Sequence, residues 1–306
     1  MTYQYTLRDK IVAALEGLRL RLFPRRVLVA GPYTGEFGHE LMEWQAWIHA
    51  QVGRHREVHV ITFPGREALY PGCIVHVHDF SLEKSGYHFG RFSPSELKSM
   101  AQARARELGL EDYDILSTYH LCTRYHQRYI LPAKFELLRK EPLHGRFRDL
   151  AFHFRRVQKE GPDQARNYPP ELCDRVAAFC RERGYSICCI GHPHYSYCPD
   201  GVEDLRSDDL ATSIAGICSA RLLAGELSGP MHLAQLCGVP ILIWADGQWR
   251  LDTCEYWNVF HVPTFIVAND THFPEPHRVC ETIERAMREL RESTAHFTKP
   301  GYVLPG

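Results

Sequence analysis

Three stretches of this 306-residue sequence combine residue types that can do chemistry. "GPYTGEFGHELMEWQ" (31–45) sets Glu36, His39 and Glu40 among glycines, directly after the apolar run "RVLVAG". Carboxylates and imidazoles so placed are candidates for removing a proton from a hydroxyl. Gly35 and Gly38 permit positive φ and close backbone approach to a ligand. "AFHFRRVQKEG" (151–161) carries His153, Arg155, Arg156 and Lys159, and guanidinium groups match phosphate oxygens with fixed paired donors. "GELSGPMH" (225–232) has the pattern of a strand end, a tight turn and a helix start. There Glu226, Ser228, Gly229 and His232 surround backbone N–H groups that suit an anion.

These stretches need elements to hold them, and the pattern supplies an alternating series. Apolar strand-like runs at 26–31, 57–63, 73–80 and 113–117 are separated by helical patterns at 38–53 and 95–109. The second helix opens with "SPSEL", where Ser93 or Ser95 can cap. Residues 118–148 are irregular. A second series then begins at 148–154 and continues as helix, strand, helix, strand, helix and strand through "VPILIWA" (239–245), with "HRVCETIERAMRELRE" as a closing helix. Short apolar strands alternating with helices signal parallel βαβ units. The fold class is therefore α/β, with two Rossmann-like domains facing a cleft, over 1–145 and 146–306. Ligands of such sheets sit at the carboxyl ends of the strands, which is where all three stretches fall.

Composition bounds the partners. The formal net charge of −1 gives no footprint for nucleic acid. No apolar run reaches the roughly 20 residues of a spanning helix, and no signal-peptide pattern opens the chain. Eleven cysteines, an odd number with several inside apolar runs, fit reduced core thiols and a cytoplasmic location. Residues 6–23 are amphipathic: Leu7, Ile11, Leu15, Leu18 and Leu22 share a face that excludes Arg8, Lys10, Arg19 and Arg21. Such a helix either packs on its domain or rests peripherally on an anionic membrane surface. His192, His194 and Cys198 in "GHPHYSYCPD", and His76 and His78 in "HVHDF", lack the spacing of a zinc site. His192 stands at the end of its strand.

With these residues in view, "DDLATSIAGICSARLLAGELSGPMHLAQLCGVPILIW" resembles the donor-domain segment of the lipopolysaccharide heptosyltransferases. In that family a "D-S-G-P-M-H-L-A" turn binds the diphosphate of a nucleotide sugar. Ser228 to Ala234 match it, while Leu227 stands where the family has Asp and Glu226 lies one residue earlier. "H-x-R-R" at His153–Arg156 is similar to the α1,6-fucosyltransferase motif, whose first arginine, here Arg155, neutralises the leaving diphosphate. "G-E-F-G-x-E-L" looks like a signature of glycosyltransferase-like proteins of bacterial polysaccharide loci.

The resemblance implies a GT-B glycosyltransferase, inverting and metal-independent, with no cofactor beyond its nucleotide-sugar donor. It also implies a base and ribose pocket where His192 ends its strand. The first domain would face a saccharide or lipid-linked saccharide acceptor. Glu36 and Glu40 are the leading candidates for the base, with His39, which falls where the heptosyltransferases carry an Asp, the third. A sugar-nucleotide epimerase or hydrolase, or a non-catalytic nucleotide-sugar-binding protein, would use the same features.

Overall fold

The computed structural model describes residues 6–78, 92–117, 133–139, 141–156, 166–268 and 270–297. The chain divides into two compact units, residues 1–137 with 209–211, and residues 138–208 with 212–306.

The first unit opens with α1 (Leu7–Leu22), started by a capping box in which Thr6 and Asp9 satisfy each other's backbone N–H groups. Its sheet contains β1 (Val27–Ala30), β2 (Glu57–Thr62), β3 (Ile74–Val77) and β4 (Tyr113–Leu116), in the order β3-β2-β1-β4 and all parallel. Between β1 and β2 runs α2, made of Phe37–His39, a wider π turn at Glu40–Trp44, and Gln45–His49. Helix α3 (Pro94–Glu107) starts at Ser93, whose hydroxyl accepts from the Glu96 N–H while the Glu96 carboxylate returns to the Ser93 N–H. Ser93, rather than Ser95, is thus the cap. Val29, Ile61, Ala101 and Ala105 form a core under this sheet.

The second unit contains β5 (Arg148–Arg155), α4 (Pro170–Glu182), β6 (Ile187–Cys189), β7 (Ser196–Tyr197), β8 (Glu203–Asp204) and α5 (Leu210–Cys218). Then follow β9 (Ala220–Glu226), α6 (Gly229–Leu236), β10 (Ile241–Trp244), α7 (Gln248–Trp257), β11 (Thr264–Ala268) and α8 (Pro276–Phe297). The sheet order is β11-β10-β9-β5-β6-β8, parallel throughout, with β7 added antiparallel to the end of β5. Counted within this unit the order is 6-5-4-1-2-3, a doubly wound sheet whose direction of growth reverses between β5 and β9. Phe152, Leu222, Leu242, Ile283 and Met287 lie in one buried cluster, so α8 packs on its own unit's sheet.

Helix α1 packs on the first unit, but not by its apolar stripe. The sequence pattern finds the apolar stripe, but the structure turns it outward: Leu7 is 74% exposed and Leu15 61% exposed. The ten cysteines among the described residues are all free thiols. Among the described residues no helix is long and apolar enough to cross a membrane.

Candidate functional site

In a doubly wound sheet the ligand crevice opens at the carboxyl ends of the strands flanking the reversal. Here those strands are β5 and β9, and their last residues are Arg155 and Glu226. The two strands approach closely because residue 225 is glycine: a Cβ there would stand 2.4 Å from the His153 carbonyl.

Glu226 is buried, yet it sits in a ring of charge. Arg166 Nε donates to its Oε1 at 2.7 Å and Arg166 Nη2 donates to the Leu227 carbonyl at 2.8 Å. His272 Nδ1 lies 3.4 Å from the same Oε1. The other His272 nitrogen, Nε2, lies 2.8 Å from Asp246 Oδ1, which also accepts from Arg250 Nε at 2.9 Å. Arg155 Nη1 donates to Asn167 Oδ1 at 3.0 Å. Burial pushes the Glu226 carboxyl up to about 7, against the pull of Arg166 and Arg155. Its Oε2 takes no hydrogen bond among the described residues. The cluster thus presents arginines at a strand end over a carboxylate that changes charge near neutrality.

The turn after Glu226 behaves as its sequence suggests in outline and differs in detail. Ser228 is the N-cap residue of α6, but its hydroxyl donates to the Glu226 carbonyl and no side chain caps the helix. Ser228, Gly229 and Pro230 are half-buried. Leu227, at the family's Asp position, is buried, and its carbonyl holds Arg166. The buried carboxylate is therefore supplied one residue earlier, by Glu226.

Other expected ligand-facing residues lie elsewhere. His153 is 4% exposed and packs against Gly191, where a Cβ would stand 2.6 Å from its ring nitrogen. Burial lowers its pKa to about 4, so it is a neutral core imidazole. It is not a ligand-facing group. His232 is also buried, edge-on to Trp257 and 3.2 Å from Gln235 Oε1. Arg156 is exposed and lies over the Tyr197 ring. His192 is half-buried beside Tyr195, and its Nδ1 accepts from the His194 N–H. Lys159 lies outside the described residues. Arg166, Asp246, Arg250 and His272 complete the cluster without a sequence motif; their only shared signal is position, beyond a strand's carboxyl end.

In the first unit the loop after β1 turns at Gly31, which has φ +113° and no room for a side chain, a Cβ falling 2.4 Å from the Ile61 carbonyl. Gly35 and Gly38 are not in the positive-φ region; Gly38 lies inside α2. Tyr33, fully buried, donates its hydroxyl to the Glu36 carbonyl.

The three candidate bases separate sharply. Glu40 is wholly buried and accepts from Thr62 Oγ1 and the Tyr70 hydroxyl at 2.6 Å each, and from Arg66. Their own burial, and then its negative charge, hold the Tyr33 and Tyr70 hydroxyls well above the ordinary phenol range. These are the contacts of a carboxylate locked into the fold. Glu36 stands at the start of α2, half-buried. His39 lies with its Nδ1 3.0 Å from Glu43 Oε2, one turn on. A carboxylate at Nδ1 fixes the tautomer and leaves Nε2 as the basic nitrogen. The π turn between the two residues is of a kind that recurs at functional sites.

The sequence matches no known family profile and no curated protein sequence. Solved structures do match. The chain is similar to the glycosyl transferase family 9 protein from Veillonella parvula, with 14% identity, 87% of this chain and 98% of that one covered, and a TM-score of 0.52. It is similar to E. coli ADP-heptose lipopolysaccharide heptosyltransferase II, at 12% identity, 87% and 99% coverage, and a TM-score of 0.54. E. coli heptosyltransferase WaaC, solved with ADP, gives 12%, 87% and 99%, and 0.51.

The chain shares its fold with these glycosyltransferases.

The shared fold spans nearly the whole length of each of them, so it includes both units and not the donor-like segment alone. At such low identity the likeness is one of backbone, and the residues of the site carry any argument about chemistry.

Proposed function

We propose that this chain is a glycosyltransferase that moves a sugar from a nucleotide-diphospho-sugar to an acceptor hydroxyl. The observation that carries the proposal is the Arg155, Arg166 and Glu226 cluster at the strand reversal of the second sheet. Two arginines at such a crevice, next to an uncapped helix start, suit a departing diphosphate. The fold shared with structures that include an ADP complex agrees with that donor class.

Arg155 and Arg166 bind the diphosphate oxygens and stabilise the charge that grows on them as the glycosidic bond breaks. Glu226 orients Arg166 from beneath. The Ser228–Gly229 backbone adds N–H donors. Of the bases, we assign His39: Nε2 takes the proton of the acceptor hydroxyl, and Glu43 holds the ring and steadies the imidazolium that forms. Direct attack by a hydroxyl so activated inverts the anomeric centre. Charge on the leaving group is met by arginines, so transfer is independent of added divalent metal. The acceptor is a saccharide, free or lipid-linked, of the kind assembled into bacterial surface polysaccharide.

The test follows nucleoside diphosphate release from a panel of nucleotide sugars, with and without saccharide acceptors, in EDTA. Acceptor-dependent release supports transfer. Release that is the same without acceptor favours the hydrolase reading, and binding without release favours the non-catalytic one.

A further inference from the structure

Helix α1 is docked by the wrong face for a core helix. Its contacts with the first unit are polar: Arg19 Nη2 lies 2.6 Å from buried Asp114, Glu16 lies 3.0 Å from Lys98 Nζ, and Arg54 reaches the Arg21 carbonyl. Among the described side chains of the helix, Gly17 and Leu20 are the buried ones. At 100° per residue, Leu7, Ile11, Leu15, Leu18 and Leu22 fall within about 80° of one another, on the side away from Glu16 and Leu20. All five are exposed, and Phe23, 72% exposed, extends the apolar surface at the helix end.

The borders of the stripe are basic. Arg8 and Arg21 lie on its two flanks and Arg26 follows the helix, all exposed, while Arg25 beside them faces Asp112 and Asp114. The helix has two acids, Asp9 and Glu16, and both lie on the docked side, one in the capping box and the other on Lys98. A second copy laid on this stripe would bring Arg8 and Arg21 against the same arginines, while both acids of the helix lie on the docked side. Anionic headgroups meet the arginines, and the acyl boundary takes the leucines.

We infer that the outward face of α1 docks this protein on an anionic lipid bilayer. The inference is independent of the sugar-transfer reading, because it uses no residue of either candidate site. On a bilayer the chain would sit where a lipid-linked acceptor is found.

The experiment is co-sedimentation of the full chain with phosphatidylglycerol–phosphatidylcholine vesicles and with pure phosphatidylcholine vesicles, with sedimentation velocity run in parallel. The expected result is binding to the anionic vesicles that falls with salt, and little to the neutral ones. Ile11→Asn with Leu15→Asn should weaken it by about a hundredfold. Arg8→Ala with Arg26→Ala should weaken it by about tenfold or more. These side chains are exposed, so thermal unfolding of the variants should match the parent. No binding to anionic vesicles overturns the inference, as does equal binding to neutral ones. A dimer that the Ile11 and Leu15 changes dissociate, without vesicle binding, assigns the stripe to a second copy instead.

Discussion

Arg166 holds Glu226 through Nε at 2.7 Å and the carbonyl of the next residue, Leu227, through Nη2 at 2.8 Å. One guanidinium therefore ties down both the last residue of β9 and the first of the turn that leads to α6. It does so at the strand reversal, where a doubly wound sheet takes its ligand. If that guanidinium also meets the diphosphate, Arg166→Ala should lower nucleoside diphosphate affinity by about tenfold or more. Arg155→Ala should do the same. Arg156→Ala, on the exposed side over Tyr197, should not. Calorimetric titration of the three variants checks the order.

Glu226 should give stability a distinctive pH dependence. Its folded pKa is raised from 4.5 to about 7, so the folded state holds the proton more tightly than the unfolded chain does. The associated stability is complete below the unfolded value and is lost as pH rises through about 7, an effect of up to about 3 kcal/mol. Glu226→Gln should abolish this slope. Urea unfolding of both proteins on either side of the interval from 4.5 to 7 checks it, and equal slopes would refute the burial argument.

Glu40 and His39 should fail in different ways. Glu40→Ala leaves Arg66, Thr62 and Tyr70 facing an empty buried site and should cost about 3–5 kcal/mol of stability. His39→Ala, at a residue that is also buried and pairs with Glu43, should cost less stability than Glu40→Ala and lower transfer by about 10²–10⁴-fold with nucleotide affinity intact. Paired melting curves and turnover rates separate a fold-holding carboxylate from a base.

Glu43→Gln probes the assistance given to His39. Removing the carboxylate from Nδ1 weakens both tautomer control and support of the imidazolium, so Glu43→Gln should lower turnover by about tenfold or more with nucleotide affinity intact. Turnover and calorimetric titration of the variant beside the parent read that loss. Unchanged turnover would free His39 from the proposed role, and Glu36→Gln would then be the next variant to assay.

Much of this was legible in the sequence because local rules and the fold agree. A serine cap and an early proline mark the start of α3, the "GELSGP" turn ends a strand and starts a helix, and the alternating runs give two parallel sheets. The parts that were not legible depend on what lies across space. Helical periodicity locates the stripe of α1 but does not say which side meets the protein, and polar contacts to Asp114 and Lys98 decide it. Arg166 and His272 join Glu226 from loops with no motif of their own. Glu40 reads as a reactive acid beside glycines until Thr62, Arg66 and Tyr70 arrive from β2 and the segment after it. Helix α7 leaves little trace in the sequence because Leu251, Cys254 and Trp257 are its buried residues amid polar ones, too sparse a stripe to show a helical period.

The central claim is that the carboxyl edge of the second sheet binds the diphosphate of a nucleotide sugar. Titration of the full chain with ADP, GDP, UDP and TDP, each beside its monophosphate, tests it most directly. The account predicts that at least one diphosphate binds well above its monophosphate and that Arg166→Ala removes the difference. Failure of all four to bind, or binding that Arg166→Ala leaves unchanged, would contradict it.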